Sequence, residues 1–340
     1  MSMDMLKEDL KNNKIRNLYL FYGHEEYLKR YYLDSIEKAL LREDLKSLNR
    51  VFIEGKTDAG KIIEACETLP VFSERKIVIV KNSGIFKAKK ESADGKSKGK
   101  GQADEFLWYL QNIPGHVCLV FYESEIDKRI KLVEAIRKSG LMVEFDYQKP
   151  EELTKWIIKV FKANKKEIDT LTASQLIDSC ELGMNEILNE VNKLVQFMGD
   201  RDRVTGSDIE KVCTKSIKSR IFDLTDALSE GNKAKAIKLL EEMILLKEPV
   251  PRIFFMLTRQ IRLMFEIKLL SGKGMRPDEI APKMKLNPYA AGKIQKHAGK
   301  FAVEKLKKAL EECLEYDVAI KNGKISDRMA VELLIASFSK

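Results

Sequence analysis

The residues whose spacing most suggests chemistry are Gly55-Lys56-Thr57-Asp58-Ala59-Gly60-Lys61-Ile62. They follow the phosphate-loop pattern G-x-x-x-x-G-K-[ST] at every position but the last, between a strand-like and a helix-like segment. In such a loop a lysine and backbone amides cradle the phosphates, a terminal hydroxyl holds magnesium, and a carboxylate at a later strand end completes the metal site. Ile62 has no oxygen, and the later strands run into Lys81-Asn82 and Tyr122-Glu123, which give no acidic pair. A P-loop ATPase built on Gly55 to Ile62 is an alternative that lacks its magnesium ligands.

A second candidate is the turn after the first strand, Gly23-His24-Glu25-Glu26-Tyr27-Leu28. It has one glycine and two carboxylates. Carboxylates at a helix N-terminus suit that helix's dipole and oppose a bound phosphate, so the turn reads as built without nucleotide.

The third is the segment Glu67-Thr68-Leu69-Pro70-Val71-Phe72-Ser73-Glu74-Arg75-Lys76, which leads into the strand Ile77 to Val80. Pro70 lacks an amide hydrogen and restricts Leu69, so the preceding helix (Lys61 to Cys66) should end here. Leu69, Val71 and Phe72 then lie on a loop between helix and strand. They either fold back onto the core or are presented to a partner.

Other chemistries find little support. The five cysteines (Cys66, Cys118, Cys180, Cys213, Cys313) are far apart with no CxxC pair, which argues against disulfides and a zinc site and fits a reducing cytoplasm. His24, His116 and His297 lack metal-ligand spacing, and no Ser/His/Asp or Cys/His set clusters in sequence. No cofactor is expected. Arg276 to Ile294 has the spacing of a helix-turn-helix, but Tyr289, Ala290, Ala291 and Gly292 are poor base-contacting residues, which favours helical packing. The N-terminus carries no apolar signal core, and no apolar run reaches the ~18 residues of a membrane span.

The elements that must position these residues change character along the chain. At 340 residues, two or three domains are expected. A net charge of +9, from 61 basic and 52 acidic residues, suits work near a polyanion. Up to residue 147, short apolar strands (Asn17 to Tyr22, Val51 to Ile53, Lys76 to Val80, Val117 to Tyr122, Leu141 to Phe145) alternate with helical patterns (Glu25 to Arg42, Lys61 to Cys66, Glu105 to Gln111, Ile130 to Lys138). That alternation predicts a parallel α/β sheet covered on both faces. Residues 87–104 contain no large apolar side chain and six lysines, and read as a flexible loop. After Pro150 only helical patterns follow. Four short helices make a module over 148–216, with Thr172 and Ser207 as capping residues and Leu182-Gly183 as a helix end; a larger helical domain occupies 217–340.

With these residues in view, the chain resembles the delta subunits of the bacterial DNA polymerase III clamp loader over nearly its whole length. The resemblance rests on Asn17 to Tyr27, on Leu69 to Val80, and on two helical signatures. The first is Leu182 to Leu194 followed by Val204 to Ile209; the second runs from Arg259-Gln260-Ile261-Arg262-Leu263 through Ile280 to Phe301 to Asp317-Val318-Ala319-Ile320-Lys321-Asn322-Gly323. It implies a multidomain protein: an AAA+-like α/β domain without a working P-loop (1–147), a helical lid (148–216) and an all-α collar (217–340). It implies a cytoplasmic, nucleoid-associated subunit without catalysis of its own, part of a polymerase holoenzyme. The implied partners are the beta sliding clamp, the ATPase (gamma/tau) and delta-prime subunits of a heteropentamer, and primed DNA within the complex. The subunit would bind the clamp and help open it. The implied clamp-binding residues are Val71 and Phe72 as the wedge, with Leu69 and Pro70 adjoining. The family's usual clamp-binding peptide begins with Gln where this chain has Glu67, and often has Leu where it has Val71. A stand-alone DNA-binding protein is the remaining alternative.

Overall fold

The structure, a computed structural model, describes residues 2–87, 100–180, 183–213, 217–284, 286 and 288–338. They group into two compact units, Met1–Tyr147 and Gln148–Lys340.

The first unit contains α1 (Ser2–Lys11), β1 (Leu18–Tyr22), α2 (Glu26–Leu40), a 3-10 turn (Glu43–Leu45), α3 (Lys46–Asn49), β2 (Arg50–Glu54), α4 (Ala59–Glu67), β3 (Lys76–Lys81), α5 (Lys100–Gln111), β4 (Val117–Glu123), α6 (Lys131–Ser139) and β5 (Leu141–Glu144). The five strands form one parallel sheet in the order β2-β3-β4-β1-β5, with Leu18 opposite Leu119 and Lys76 opposite Val117. The central strands are apolar on both faces, and every residue of β4 is buried.

Chain direction decides which helix covers which face. From β1 the chain crosses to the far edge strand β2, then returns through β3 and β4 to β5. Right-handed crossovers therefore put the helices of the outward and return legs on opposite faces. Leu6 of α1 and Tyr32, Leu33 and Ile36 of α2 pack with Tyr19, Phe21, Ile77, Ile79 and Val120. Ile62 and Cys66 of α4, Phe106 and Leu110 of α5, and Val133 and Ile136 of α6 pack with Leu20, Val78, Val80, Leu119 and Phe121.

The second unit is helical: α7 (Pro150–Ala163), α8 (Thr170–Ser179), α9 (Met184–Met198), α10 (Gly206–Val212), α11 (Ile217–Ser229), α12 (Lys233–Leu245), α13 (Val250–Gly272), α14 (Pro277–Lys283), α15 (Pro288–Gly299), α16 (Val303–Lys321) and α17 (Asp327–Phe338). One apolar cluster runs through α11 to α17 and takes no residue from α7 to α10; Leu257, Ile261 and Met264 of α13 lie within it. Among the described residues no helix is long and apolar enough to cross a membrane.

Several expectations need correction. The charged N-terminus, for which the sequence reading proposes no element, is a helix: Met3, Leu6 and Leu10 form a short apolar stripe against the sheet. The segment 87–104 is not wholly loop: residues 88–99 lie outside the described ones, but α5 begins at Lys100. Asp169 rather than Thr172 caps α8, its carboxylate accepting the Thr172 N–H at 2.8 Å. Thr205 rather than Ser207 caps α10, with Asp208 closing a capping box. Helix α8 ends at Ser179, Gly183 is the N-cap of α9, and Leu182 lies outside the described residues. In the stretch with helix-turn-helix spacing, Ile280, Ala281, Ala291 and Ile294 are buried.

Candidate functional site

Helix α4 ends at Glu67, with Thr68 in an extended C-cap, two residues before a proline that cannot continue the helix. The chain then runs over Leu69-Pro70-Val71-Phe72 before entering β3. Both ends of this loop are tied down. The buried Lys76 ammonium donates to the carbonyls of Ala65 (2.5 Å) and Thr68 (2.9 Å) and to the Thr68 hydroxyl, placing a cation where the helix leaves carbonyls unpaired. Burial pushes the Lys76 pKa down from its ordinary value. The Arg75 guanidinium donates to the carbonyl of Ile15 at 2.8 Å, the side-chain oxygen of Asn17 at 2.7 Å and the carbonyl of Val117 at 3.3 Å, fixing the entry to β3 against the entries to β1 and β4.

Asn49, buried at the end of α3, holds the middle of the loop. Its Oδ1 accepts the Val71 N–H at 2.7 Å and its Nδ2 donates to the Val71 carbonyl at 2.9 Å. The Tyr109 hydroxyl donates to Glu67 at 2.8 Å, so this carboxylate is held by the protein itself. Between these ties, Leu69 is 75% exposed, Val71 41% and Phe72 88%. Phe72 also has a φ of 50°, a left-handed conformation that is unfavourable for a residue with a Cβ. The apolar residues therefore face outward on a braced loop, and one of them adopts a strained backbone.

The two nucleotide candidates lie at the carboxyl ends of the strands. Gly55, Lys56 and Thr57 follow the edge strand β2. The Gly55 N–H donates to the Lys81 carbonyl (2.9 Å) and the Thr57 N–H to the Ser83 carbonyl (3.2 Å), and Asp58 caps α4 by accepting the Lys61 N–H at 3.0 Å. A carboxylate thus occupies the helix end where a phosphate would dock.

The carboxyl ends of β1 and β4 flank the point where the crossovers change direction, the usual ligand crevice of such a sheet. Here Glu25 is buried and caps α2. The fully buried Lys29 ammonium sits 2.5 Å from a Glu26 oxygen and 3.2 Å from the Glu123 carbonyl, 4.6 Å from the centre of the Tyr122 ring. The Tyr122 hydroxyl donates to Glu26 at 2.8 Å. The Glu123 carboxylate accepts from the N–H (2.8 Å) and hydroxyl (2.5 Å) of Ser83. Burial lowers the Lys29 pKa against the pull of Glu26, and burial raises that of Glu123. Gly23, at φ 118°, lies so close to Phe145 that an added Cβ would collide with its carbonyl. The chain's own side chains thus occupy this part of the crevice.

Of the sequence candidates, the structure brings Leu69, Pro70, Val71 and Phe72 together on one loop. Sequence reasoning missed the residues that hold it: Asn49, Arg75, Lys76 and Tyr109. A buried Asn next to a strand is a faint signal, and its partner 22 residues away is invisible to periodicity.

Two family models match the chain. "DNA polymerase III, delta subunit" matches residues 19–146, and "DNA polymerase III delta subunit, C-terminal domain" matches residues 218–338. The DNA polymerase III subunit delta of Bacillus subtilis (strain 168) is 26% identical over 337 residues, spanning 98% of this chain and 96% of that protein. Among solved structures, the Bacillus subtilis DNA clamp loader delta protein superposes with a TM-score of 0.74 at 23% identity, covering 99% of each chain, a likeness of fold.

Proposed function

The chain belongs to the DNA polymerase III delta subunit family, and from that premise we propose that it binds the beta sliding clamp through Leu69, Pro70, Val71 and Phe72 and helps open it for loading onto primed DNA. The observation that carries this reading is Phe72: 88% exposed, in a left-handed backbone, on a loop braced at both ends. Strain kept at an exposed aromatic has no folding benefit and suits a residue held ready for a partner.

The energetics bound what the loop can do. Burying one large apolar side chain contributes about 1.5–3 kcal/mol. Two anchors give roughly 3–6 kcal/mol against the ~8 kcal/mol of a micromolar contact, before the cost of association. Bracing lowers the ordering cost, yet contacts around the loop are still required. Opening a closed ring also requires that the subunit bind the open clamp better than the closed one.

This subunit leaves ATP hydrolysis to its neighbours. The amides of Gly55 and Thr57 are spent on β3 and its exit, Asp58 caps α4, and Lys29, Glu26 and Glu123 occupy part of the switch-point crevice. Within the second unit, residues 148–216 act as the lid and 217–340 as the collar that joins the gamma/tau and delta-prime subunits in a cytoplasmic complex. The separate apolar cluster of α11 to α17 supports that division.

Surface plasmon resonance against a purified bacterial sliding clamp tests the central claim. The wild type should bind and the Val71→Ala/Phe72→Ala double variant should not. Equal binding by both would remove the assignment of the loop.

A further inference from the structure

Three exposed apolar sites lie along the amino-terminal edge of the sheet. Strands β2, β3 and β4 are adjacent and parallel, so the segments entering them emerge side by side, at about 4.8 Å per strand. The segment entering β3 carries Leu69, Val71 and Phe72. The segment entering β2 carries Leu48, 56% exposed, next in the chain to the Asn49 that grips Val71. On the β4 side, the last turn of α5 carries Trp108, 65% exposed, next in the chain to the Tyr109 that holds Glu67. Helices α4 and α5 cover the same face of the sheet, and the last turn of α5 is capped by Asn112, whose Nδ2 donates to the Trp108 carbonyl at 2.8 Å. Each of these two ties thus has an exposed apolar neighbour, one on either side of the loop.

We infer that Trp108 and Leu48 belong to the surface that receives the sliding clamp, Trp108 as a second aromatic anchor and Leu48 as its opposite flank. The inference rests on the reading of Leu69 to Phe72 as the clamp-binding element. A specific protein interface covers about 800 Å² on each partner, far more than a four-residue loop offers, so the clamp must reach past the loop on one or both sides. The apolar groups it meets along this edge are Leu48 and Trp108. Tryptophan is among the side chains that most often carry interface energy, since it offers a large area for few torsions to freeze. A single exposed apolar residue is ordinary on a protein surface; two flanking one braced loop along one sheet edge are not explained that way.

The test is surface plasmon resonance of the full chain over immobilised, purified sliding clamp, with wild type, Trp108→Ala, Leu48→Ala and Val71→Ala/Phe72→Ala compared. Trp108→Ala should weaken binding by about tenfold or more and Leu48→Ala by about threefold, while the double variant loses it. A second measurement does not depend on truncating the residue. With Trp156→Phe, Trp108 is the sole tryptophan, and its emission should shift to shorter wavelength when clamp is added. Trp108→Ala binding within about twofold of wild type, or no emission shift, with the double variant still inactive, overturns this inference and leaves the loop assignment standing. Wild-type-like binding by the double variant, or no binding by the wild type, removes both. Sedimentation velocity on the chain alone covers the remaining occupant: a dimer abolished by Trp108→Ala would assign the patch to a second copy and overturn the inference.

Discussion

Asn49 and Val71, 22 residues apart, exchange two hydrogen bonds, the amide side chain of one matching the backbone N–H and C=O of the other. The pairing is the one a neighbouring strand would make, yet it comes from a single buried side chain. It fixes the peptide next to Phe72 while leaving the apolar side chains free. The same Nδ2 also donates to the Leu45 carbonyl at 3.1 Å, tying the turn before β2 into the same grip.

Asn49→Ala should therefore separate display from identity. The variant keeps Leu69, Val71 and Phe72 but leaves the Val71 backbone to pair with water, at a cost of about 0.5–1.5 kcal/mol for each net hydrogen bond lost. Clamp affinity should fall with every anchor still present, and hydrogen exchange at the Val71 amide should quicken. Slow exchange at Val71 in Asn49→Ala would show that the loop is braced some other way.

Under the proposed reading, Phe72 couples backbone strain to clamp binding. Its φ of 50° puts an L-residue in the left-handed region, and its side chain is almost fully solvated. Phe72→Gly should raise stability by about 0.5–1 kcal/mol, since glycine adopts this backbone without the Cβ penalty and little packing is lost. The same variant should lose clamp binding. Phe72→Ala should lose binding without the gain. Thermal melts of the two variants beside the wild type decide the matter, and a melt of Phe72→Gly below that of Phe72→Ala would show that the left-handed backbone costs nothing.

Much of this arrangement was legible in the sequence where local chemistry decides it. Strands β1, β3 and β4 are buried on both faces, so their apolar runs stand out from the helices between them. Pro70 marks the end of α4 because it lacks the amide hydrogen that would continue the helix and restricts Leu69 before it. What distant residues decide was not legible. Whether Phe72 faces in or out depends on Asn49, Arg75 and Lys76 gripping the chain on either side. In α5 the run Phe106-Leu107-Trp108-Tyr109-Leu110 is apolar at every position, so no periodicity tells that Trp108 faces water while Phe106 and Tyr109 are buried.

The pair Lys29 and Glu26 should respond unequally to removal of either partner. Lys29 is fully buried and Glu26 is half exposed. Glu26→Gln leaves a buried ammonium without its counter-charge and should cost about 3 kcal/mol. Lys29→Met removes the buried charge, keeps its aliphatic volume and lets Glu26 rehydrate, so the change should stay within about 1 kcal/mol. Hydrogen exchange of the β1 and β4 amides reports the effect where it arises. Equal losses in the two variants would mean that Glu26 is as dependent on the pair as Lys29.

Acid sensitivity in the second unit should trace to His297. It is buried edge-on against Phe222, with Nε2 3.5 Å from the Asp226 carboxylate that also holds Lys300 at 2.9 Å. Burial lowers its pKa below the ordinary 6.5, the Asp226 charge opposes that, and Lys300, Lys293 and Lys296 add to it. The unfolded chain therefore binds a proton that the folded chain resists in the interval below 6.5. Stability is full above that value and falls as pH drops through the interval toward the lower folded-state value. His297→Gln removes the titrating group, so the difference in melting temperature between about pH 7.5 and about pH 5.5 should shrink relative to wild type. An unchanged difference would assign the acid sensitivity to other groups and leave His297 as a packing residue.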